Sequence, residues 1–305
     1  MRPLIEPQLP DDVELRTFAT LAEALALAPH AEIGWFDDWS DGIFAKAPAA
    51  AASARWINTI GVGIDALPVS RFVERNQILT TGAGLIPDVI ADFAVMGVLT
   101  LAKRVDEIVR AHDRKEWLHK PPGTVELLGS RALIVGFGEI GREIGQRLRA
   151  FGIDVTGVRR CADGEQGVIG PDDWRPRLAE FDWVVLCAPS TAETRCMIGA
   201  GELASVKPGA RLINIARGDL VDQAALIAAL EGGQLGGAFL DVTTPEPLPA
   251  EHPLWRAPNT IVSMHLSGQS QTTAFRRGAV RFLSNLQRYL SGMPLERVVD
   301  LARGY

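Results

Sequence analysis

Three residues in the second half of the chain have side chains that could move a proton and a hydride. They are Arg217 in INIARGDLVD, Glu246 in LDVTTPEPLP and His265 in SMHLSG. An imidazole can donate a proton near neutral pH, a neighbouring carboxylate raises its pKa, and a guanidinium can hold a substrate carboxylate. Each residue follows a predicted strand, so we expect all three at the carboxyl edge of one sheet, where ligands bind.

Three glycines in ALIVGFGEIG, at positions 136, 138 and 141, come directly after a predicted strand and before a predicted helix. In that context Gly136 permits a tight turn, Gly138 lets the backbone approach a pyrophosphate, and Gly141 lets the helix pack on the strand. The helix N-terminus favours negative charge. The segment therefore predicts a turn that binds a dinucleotide.

Two arginines end the next predicted strand, in GIDVTGVRRC, and Arg159 lies 23 residues after Gly136. Enzymes that use NAD commonly have an acid at this point, which binds the ribose hydroxyls. An arginine would instead pair with the 2'-phosphate of NADP. We therefore predict that NADP(H) is preferred through Arg159 and Arg160, with NAD(H) as the second cofactor. The alternative is a pair of arginines that face solvent without a ligand.

Strands alternate with helices from about residue 131 onward, which predicts an α/β protein with a doubly wound parallel sheet. One helix has apolar residues at near-helical spacing from Ile140 to Phe151, and another is capped by Asp222. A long apolar helix is predicted from Pro87 to His112 and is assigned to an interface. The predicted strands are RALIVGFG, IDVTGV, WVVLCA, RLINIA, GAFLDV and TIVSMH, with weaker candidates VELRTF, AEIGWF and WINTIG in the first ninety residues.

Composition and charge narrow the function classes. The formal net charge of -6 argues against a nucleic-acid partner, which would need a basic surplus. The N-terminal segment MRPLIEPQLPDD lacks the apolar run of a signal peptide, and the longest apolar region is too short to span a bilayer. We therefore expect a cytoplasmic protein without a membrane partner. The three cysteines lack the spacing of a metal or disulfide site.

Several long motifs in the same order resemble the D-isomer-specific 2-hydroxyacid dehydrogenases, which include glyoxylate/hydroxypyruvate reductases. The resemblance runs from about Trp56 to the end of the chain. It rests on GVGID at 61–65, GFGEIG at 136–141, CAPSTAETRCMIGAGELASVKPGARLINIARGDLVD at 187–222, LDVTTPEPLP at 240–249 and the segment around His265. The match is therefore much more specific than any single motif.

The resemblance implies roles for individual residues. Arg217 corresponds to the cation that binds substrate, Glu246 to the partner of the histidine, and His265 to the acid/base, so that all three are candidate catalytic residues and metal plays no part. The backbone of Gly61, Val62 and Gly63 corresponds to a second clamp for the substrate carboxylate. The implied cofactor site consists of Gly136, Gly138, Glu139, Ile140, Gly141, Arg159, Arg160, Ala188, Pro189, Ile215, Ala216 and Asp241.

The implied architecture has two domains. A Rossmann-type cofactor domain is expected at 96–274, and a smaller, flavodoxin-like α/β substrate domain at 1–95, completed by 275–305. The implied activity is reduction of a small 2-keto acid, such as glyoxylate or hydroxypyruvate, to the D-2-hydroxy acid with NADPH. A homodimer is expected, with the helix after Pro87 as its interface. One departure is Met264, which stands where the family usually has proline before the catalytic histidine.

Two alternatives remain open at this point. The same fold serves in corepressors that sense NAD(H), so the protein could be a scaffold without catalysis, although Arg217, Glu246 and His265 favour an enzyme. A relative that oxidises formate or phosphite is the other alternative. Formate enzymes have Gln beside the histidine, so Glu246 counts against it.

Overall fold

The computed structural model describes residues 1–38, 42–162, 164–270 and 272–302. The chain forms two compact α/β units, one made of Met1–Ile86 and Ser270–Tyr305 and the other of Pro87–Gln269. The expected domain limits at residues 95 and 275 differ from these. The limit at 95 falls inside a helix, Pro87–Lys103, that packs on helices and strands of the second unit. The ligand that each unit binds stays a prediction.

The first unit contains a three-stranded parallel sheet in the order β1-β2-β3, in which Trp35 lies beside Asn58 and Asn58 beside Thr80. Its helices and strands are α1 (Arg2–Ile5), α2 (Leu21–Leu27), β1 (Ile33–Trp35), α3 (Ile43–Ala50), β2 (Trp56–Asn58), α4 (Val69–Glu74), β3 (Ile78–Thr80) and, after the second unit, α10 (Thr273–Leu290). The strands predicted in AEIGWF and WINTIG are therefore confirmed.

The strand predicted in VELRTF is wrong. Residues 13–18 form no strand, and the third strand of this sheet is Ile78–Thr80, which the sequence did not indicate. Leu15 packs on the cluster around Trp56 and Phe282, so the segment contributes a side chain to the core without pairing its backbone. Alternation of polar and apolar residues identifies a buried face, but only a neighbouring strand makes a segment part of a sheet.

The second unit contains a seven-stranded parallel sheet in the order β10-β9-β8-β7-β4-β5-β6. Its elements are α5 (Pro87–Lys103), α6 (Val105–Asp113), β4 (Arg131–Val135), α7 (Glu139–Ala150), β5 (Asp154–Val158), β6 (Val168–Ile169), β7 (Trp183–Leu186), α8 (Ala200–Ser205), β8 (Ala210–Asn214), α9 (Gln223–Glu231), β9 (Leu235–Leu240) and β10 (Thr260–Val262). The predicted α/β class with parallel sheets is confirmed. The strand order reverses beside β4, where open sheets of this kind bind ligands.

The long helix predicted from Pro87 to His112 is two helices. Arg104 separates α5 from α6 and has a left-handed backbone, with φ of 52°. Its guanidinium donates to Asp106 Oδ1 at 3.0 Å and to Glu107 Oε1 at 3.0 Å, in the first turn of α6. These ion pairs hold the turn between the two helices. An uninterrupted apolar pattern does not reveal such a break because the residue that causes it is itself a good helix former.

Both faces of the larger sheet are covered, as its apolar strands require. Leu133, Val184 and Leu212 belong to the core on one side, while Ile144 and Leu148 bury one face of α7. The predicted cap is confirmed, because Asp222 accepts from the backbone of Ala224 at 3.0 Å. Within the described residues, no helix has both the length and the apolar character needed to cross a membrane.

Candidate active site

The glycine-rich turn joins β4 to α7 at the carboxyl edge of the larger sheet. Gly136 has φ of 99°, and a Cβ there would lie 2.5 Å from the backbone nitrogen of Ala188. A Cβ at Gly141 would lie 2.4 Å from the carbonyl oxygen of Gly136. At Gly138, by contrast, a Cβ would meet nothing within 4 Å. Two glycines are therefore needed for the turn itself, and the third leaves open space where a phosphate could approach.

The first turn of α7 supplies backbone N–H groups beside that open space. Gly138 is the N-cap of the helix, Glu139 is exposed, and Ile140 is half-buried. The helix has twelve residues, and the positive partial charge at its N-terminus suits a pyrophosphate. The residues present therefore fit a dinucleotide, which would bind along this turn.

The neighbouring loops bring the other predicted cofactor residues to the same edge. Ala188 follows β7 and is buried, and the carbonyl oxygen of Pro189 accepts from Thr194 Oγ1 at 2.7 Å. Ile215 and Ala216 follow β8 and are also buried. The sequence reasoning missed Asn214, which lies at the end of β8.

Asn214 holds the turn that carries Arg217. Its Oδ1 accepts from the backbone of Ala216 at 3.1 Å, and its Nδ2 donates to the carbonyl oxygen of Arg217 at 2.8 Å. Arg217 Nη1 donates to the Ala216 carbonyl oxygen at 2.6 Å. A Cβ at Gly218 would lie 2.1 Å from the Thr243 carbonyl carbon, so the next residue packs directly on the loop after β9. The turn with Arg217 is therefore adjacent to the loop that carries Glu246.

His265 and Glu246 form a direct pair. His265 Nδ1 lies 2.7 Å from Glu246 Oε2, and the other carboxylate oxygen accepts from the backbone of Thr243 at 2.9 Å. The hydrogen bond with Glu246 raises the pKa of His265, against the opposing effects of burial and of the Arg217 charge. Burial acts to raise the pKa of Glu246, but its hydrogen bonds with His265 and Thr243, and the charge of Arg217, lower it overall.

The geometry orients the imidazole. When the ring is protonated, Nδ1–H donates to the carboxylate, and Nε2–H is the proton on the other side of the ring. Because Glu246 favours the charged ring, His265 stays protonated to a higher pH than an ordinary histidine. Arg217 is close enough for its charge to act on both groups. The structure thus brings together the three residues that the sequence singled out for chemistry.

Asp241 holds the loop on which His265 lies. Its side chain is buried, Oδ1 accepts from Ser263 Oγ at 2.9 Å and from the Leu266 backbone at 2.8 Å, and Oδ2 accepts from the Ser267 backbone at 3.1 Å. Its carbonyl oxygen accepts from the His265 backbone at 2.6 Å. The carboxylate therefore bonds with both sides of His265. The predicted contact of Asp241 with cofactor stays a prediction.

The backbone before the histidine explains the departure at position 264. Met264 and His265 both have φ of 57°, in the left-handed region. Proline is restricted to φ near −65° and could not adopt this conformation. Met264 therefore has a backbone conformation that proline could not adopt, and the hydrogen bonds of Asp241 stabilise the loop around it.

The two arginines after β5 are exposed. Arg159 donates its backbone N–H to Ile169 at 3.1 Å, and Arg160 Nη2 lies 3.4 Å from Glu193 Oε2. Glu165, on the following loop, pairs with Arg142 of α7. The hydrogen bond from Arg142 lowers the pKa of Glu165, and the charges of Arg159 and Arg149 act in the same direction. The sequence reasoning missed Arg142 because it lies on a different element from the arginine pair.

The segment Gly61, Val62 and Gly63 lies in the first unit, in the loop that follows β2. The backbone N–H of Gly61 donates to Thr59 Oγ1 at 2.9 Å, and its carbonyl oxygen accepts from Gly82 at 2.9 Å. Val62 is exposed. Of the three predicted amide donors, the one at Gly61 already has a partner within the chain, so Val62 and Gly63 remain as the donors predicted for a substrate.

Comparison with known proteins agrees with this arrangement. The family described as "D-isomer specific 2-hydroxyacid dehydrogenase, NAD binding domain" matches residues 95–267. Glyoxylate/hydroxypyruvate reductase B of Pectobacterium atrosepticum is 33% identical over 264 residues, which cover 81% of this chain and 79% of that protein. D-3-phosphoglycerate dehydrogenase of Archaeoglobus fulgidus is 27% identical, and the match spans about half of that longer protein, 48%.

A solved structure supports the same assignment. The D-isomer specific 2-hydroxyacid dehydrogenase from Xanthobacter autotrophicus Py2, in complex with NADPH and MES, is 31% identical and superposes with a TM-score of 0.76. The match covers 90% of this chain and 85% of that one. The chain belongs to the D-isomer specific 2-hydroxyacid dehydrogenase family and is an NAD(P)-dependent oxidoreductase.

Proposed function

We propose that this protein reduces a small 2-keto acid, glyoxylate or hydroxypyruvate, to the D-2-hydroxy acid, with NADPH as the reductant and His265 as the proton donor. The pair of His265 and Glu246, 2.7 Å apart beside Arg217, is the observation that carries the proposal. The reductase relatives, such as the one from Pectobacterium atrosepticum, support this substrate class.

Reduction of the carbonyl group is one step in which His265, Glu246 and Arg217 have different roles. When bound at the glycine-rich turn, NADPH would supply the hydride to the carbonyl carbon, breaking its own C–H bond and becoming NADP⁺ as the carbonyl π electrons move to oxygen. His265 Nε2 releases its proton to that oxygen, so the alcohol forms without a charged product at the reacting atom. Glu246 stabilises the imidazolium before the transfer. Arg217 binds the substrate carboxylate and polarises the carbonyl, for which a planar fork of donors is suited.

The arginine pair supports the preference for NADPH. A 2'-phosphate adds negative charge at the end of β5, where Arg159 and Arg160 are exposed and able to pair with it. Arg142 pairs with the adjacent Glu165 and neutralises it, so that carboxylate does not offset the positive charge of the arginine pair. An acid that would bind the ribose hydroxyls of NAD is absent from positions 159 and 160.

A turnover screen tests the activity. The purified protein is mixed with NADPH or NADH and a panel of 2-keto acids, and loss of reduced cofactor is followed by absorbance, with chiral chromatography of the product. Turnover of glyoxylate or hydroxypyruvate with NADPH, giving a D product from hydroxypyruvate, is expected. Tight binding of NADPH without turnover of any 2-keto acid would favour the scaffold alternative instead.

We also propose that the protein is a homodimer that associates through α5. A groove of about 570 Å³ lies along α5 and α7 and includes the exposed apolar side chains of Met96 and Phe151. Asp92 and Arg147 form an ion pair at 2.7 Å on its rim. A second copy related by a two-fold axis would present the same apolar surface and the same two opposite charges, so apolar contacts and opposite-charge pairs are both available across the axis.

Light scattering tests the assembly. The wild-type protein is expected to have twice the mass of one chain, and Met96→Lys to shift the population toward monomers because it introduces a charge into an apolar contact. Lys46→Glu, which changes charge elsewhere on the chain, is the control. A wild-type monomer at micromolar concentration would contradict the proposal.

A further inference from the structure

Asp37 is a carboxylate whose position neither the proposed chemistry nor the sequence motifs account for. It lies two residues after β1, and Thr59 lies one residue after β2. The two strands are parallel and pair Trp35 with Asn58, so both segments leave the sheet at the same edge. The loop that follows is the glycine-rich segment 61–63.

The carboxylate of Asp37 is surrounded by donors. Its Oδ2 accepts from the backbone N–H of Ile60 at 2.6 Å, and Trp35 Nε1 donates to the same oxygen. Thr59 Oγ1 donates to Oδ1. An ionised carboxylate is an acceptor only, so all three contacts have a consistent direction. Burial raises the pKa of Asp37 above its ordinary value, although the three donors act to lower it.

The orientation of the Thr59 hydroxyl determines its hydrogen bond with the loop. Because its hydroxyl hydrogen points to Asp37, the oxygen is left to accept, and it accepts from the backbone N–H of Gly61 at 2.9 Å. Thr59 is buried, so no water competes for the hydroxyl. Asp37 thereby sets the orientation of the first peptide group of the segment.

The other side of the loop is held by backbone packing. The N–H of Gly82 donates to the Gly61 carbonyl oxygen at 2.9 Å, and a Cβ at Gly82 would lie 1.8 Å from the carbonyl oxygen of Ile60. Arg281 of α10 donates to the Ala83 carbonyl oxygen at 2.6 Å. A loop with two glycines has many accessible conformations, and these contacts select one of them.

We propose that Asp37 is a positioning residue for substrate binding, which acts through Thr59 to hold the N–H groups of Val62 and Gly63 toward the substrate carboxylate. The inference rests on the proposed function, since it takes the segment to be the carboxylate clamp. It adds a residue outside the motifs of the family. Asp37 touches no substrate, and its effect is on the geometry of the amides that do.

Asparagine at position 37 breaks the network without changing its size. The Asn amide group has two N–H donors, and it must face either the Thr59 hydroxyl or the donors at Ile60 and Trp35. If the N–H groups face Thr59, the hydroxyl accepts from the amide and loses the carboxylate that fixed its hydrogen; if they face Ile60 and Trp35, those two donors lose their acceptor. Thr59→Val removes the hydroxyl altogether, whereas Thr59→Ser retains it.

The test compares steady-state kinetics and oxamate binding for the full-length protein with NADPH bound. Oxamate is an unreactive carboxylate analogue of a 2-keto acid, and its affinity is measured by calorimetry. For Asp37→Asn and Thr59→Val we expect the KM for glyoxylate and the Kd for oxamate to rise by about tenfold or more, the effect of losing well-aligned hydrogen bonds to a charged group. Turnover at saturation and NADPH affinity should change less than threefold, because a clamp on the unreacting carboxylate acts on substrate and transition state alike.

Two comparisons separate positioning from general stability. Thr59→Ser should restore most of the oxamate affinity that Thr59→Val loses, and Asp12→Asn, which removes an exposed carboxylate of the same unit, should keep wild-type KM. Wild-type oxamate affinity in Asp37→Asn would overturn the inference while leaving the proposed function intact. Equal losses of turnover, NADPH affinity and oxamate affinity would also overturn it, because they would indicate that Asp37 has a purely structural role. A wild-type protein that neither reduces a 2-keto acid nor binds oxamate would reject both proposals.

Discussion

Two groups of charged residues lie at the carboxyl edge of the larger sheet, and they are held in opposite ways. The pair of Glu246 and His265 is exposed to solvent, but its side chains are joined at 2.7 Å, with the backbone of Thr243 and the buried carboxylate of Asp241 around it. The arginines after β5 are exposed, and Arg160 has an ion pair of 3.4 Å with Glu193. The first group is held by short hydrogen bonds to its own loops, whereas the ion pair of Arg160 with Glu193 is longer.

The difference is consistent with the roles proposed for the two groups, proton donation by His265 and binding of a phosphate by the arginines. Proton transfer requires the donor at a defined distance and angle, so the protein orders it in advance. Recognition of a phosphate requires charge at the correct place, which flexible side chains can provide, but their interactions are weakened by solvent and salt. We therefore expect substitutions in the first group to change the rate of the chemical step, and substitutions in the second to change cofactor preference.

The largest expected effect is at His265. His265→Ala should lower turnover by about 10²–10⁴-fold, the usual contribution of a positioned acid/base, with NADPH affinity nearly unchanged. Stopped-flow and steady-state assays measure the first quantity, and fluorescence titration the second. His112→Ala, at an exposed histidine, is the control. Unchanged turnover in His265→Ala would remove this residue from the mechanism.

The next effect concerns the arginine pair. Arg159→Asp combined with Arg160→Ser should move the ratio of kcat/KM values from NADPH toward NADH by about 10- to 100-fold, because one or two charge-assisted hydrogen bonds to the phosphate are lost. The maximal rate should stay close to that of the wild type. Arg175→Ser, at an arginine stacked on Trp174, provides a control for loss of surface charge. A constant ratio would show that the pair faces solvent without reading the phosphate.

The third prediction concerns Glu246 and the pH dependence of turnover. Its hydrogen bond raises the pKa of His265, so the donor is protonated below this raised value, and reduction should fall as pH rises through it. Glu246→Gln removes the carboxylate, and the alkaline limb of kcat should therefore move to lower pH. A shift of one pKa unit would cost about tenfold in rate above both values.

Rates measured from pH 5 to 9 with saturating substrate test this expectation. Asp219→Asn, which changes a carboxylate bonded to Ser190 Oγ at 2.7 Å, should leave the alkaline limb in place. If Glu246→Gln has the wild-type profile, another group controls the pH dependence.

The smallest effect is expected at the opposite edge of the sheet. Lys207 Nζ lies 2.6 Å from Asp182 Oδ1, and Asp182 also accepts from the Arg131 backbone at 2.9 Å. Lys207→Gln should reduce the free energy of unfolding by about 0–1 kcal/mol, as usual for partly exposed ion pairs, without changing KM or turnover. Urea denaturation measures the stability. A large change in kinetics would show that charges at the two edges are coupled.

Local patterns predicted much of the carboxyl edge of the larger sheet, where the candidate site lies. The strand, turn and helix around GFGEIG, and the identities of Arg217, Glu246 and His265, depend on short segments, each of which the sequence displays in full. The strand predicted in VELRTF failed because pairing depends on a partner elsewhere in the chain. The break at Arg104 also escaped detection, since it depends on acids in the following turn and not on a helix-breaking residue.

The sequence by itself determined which chemical groups are present and which strands carry them to one edge. Only the tertiary structure decided how these groups are held. Asp241 accepts hydrogen bonds from residues more than twenty positions later in the chain. Asp37, which follows β1, accepts from Thr59 and Ile60, which follow the neighbouring strand β2. Such contacts join segments that are far apart in the chain, and their partners have no fixed spacing. The physical reason is that a carboxylate's bonding depends on which donors folding brings within about 3 Å, and a linear pattern does not encode that distance.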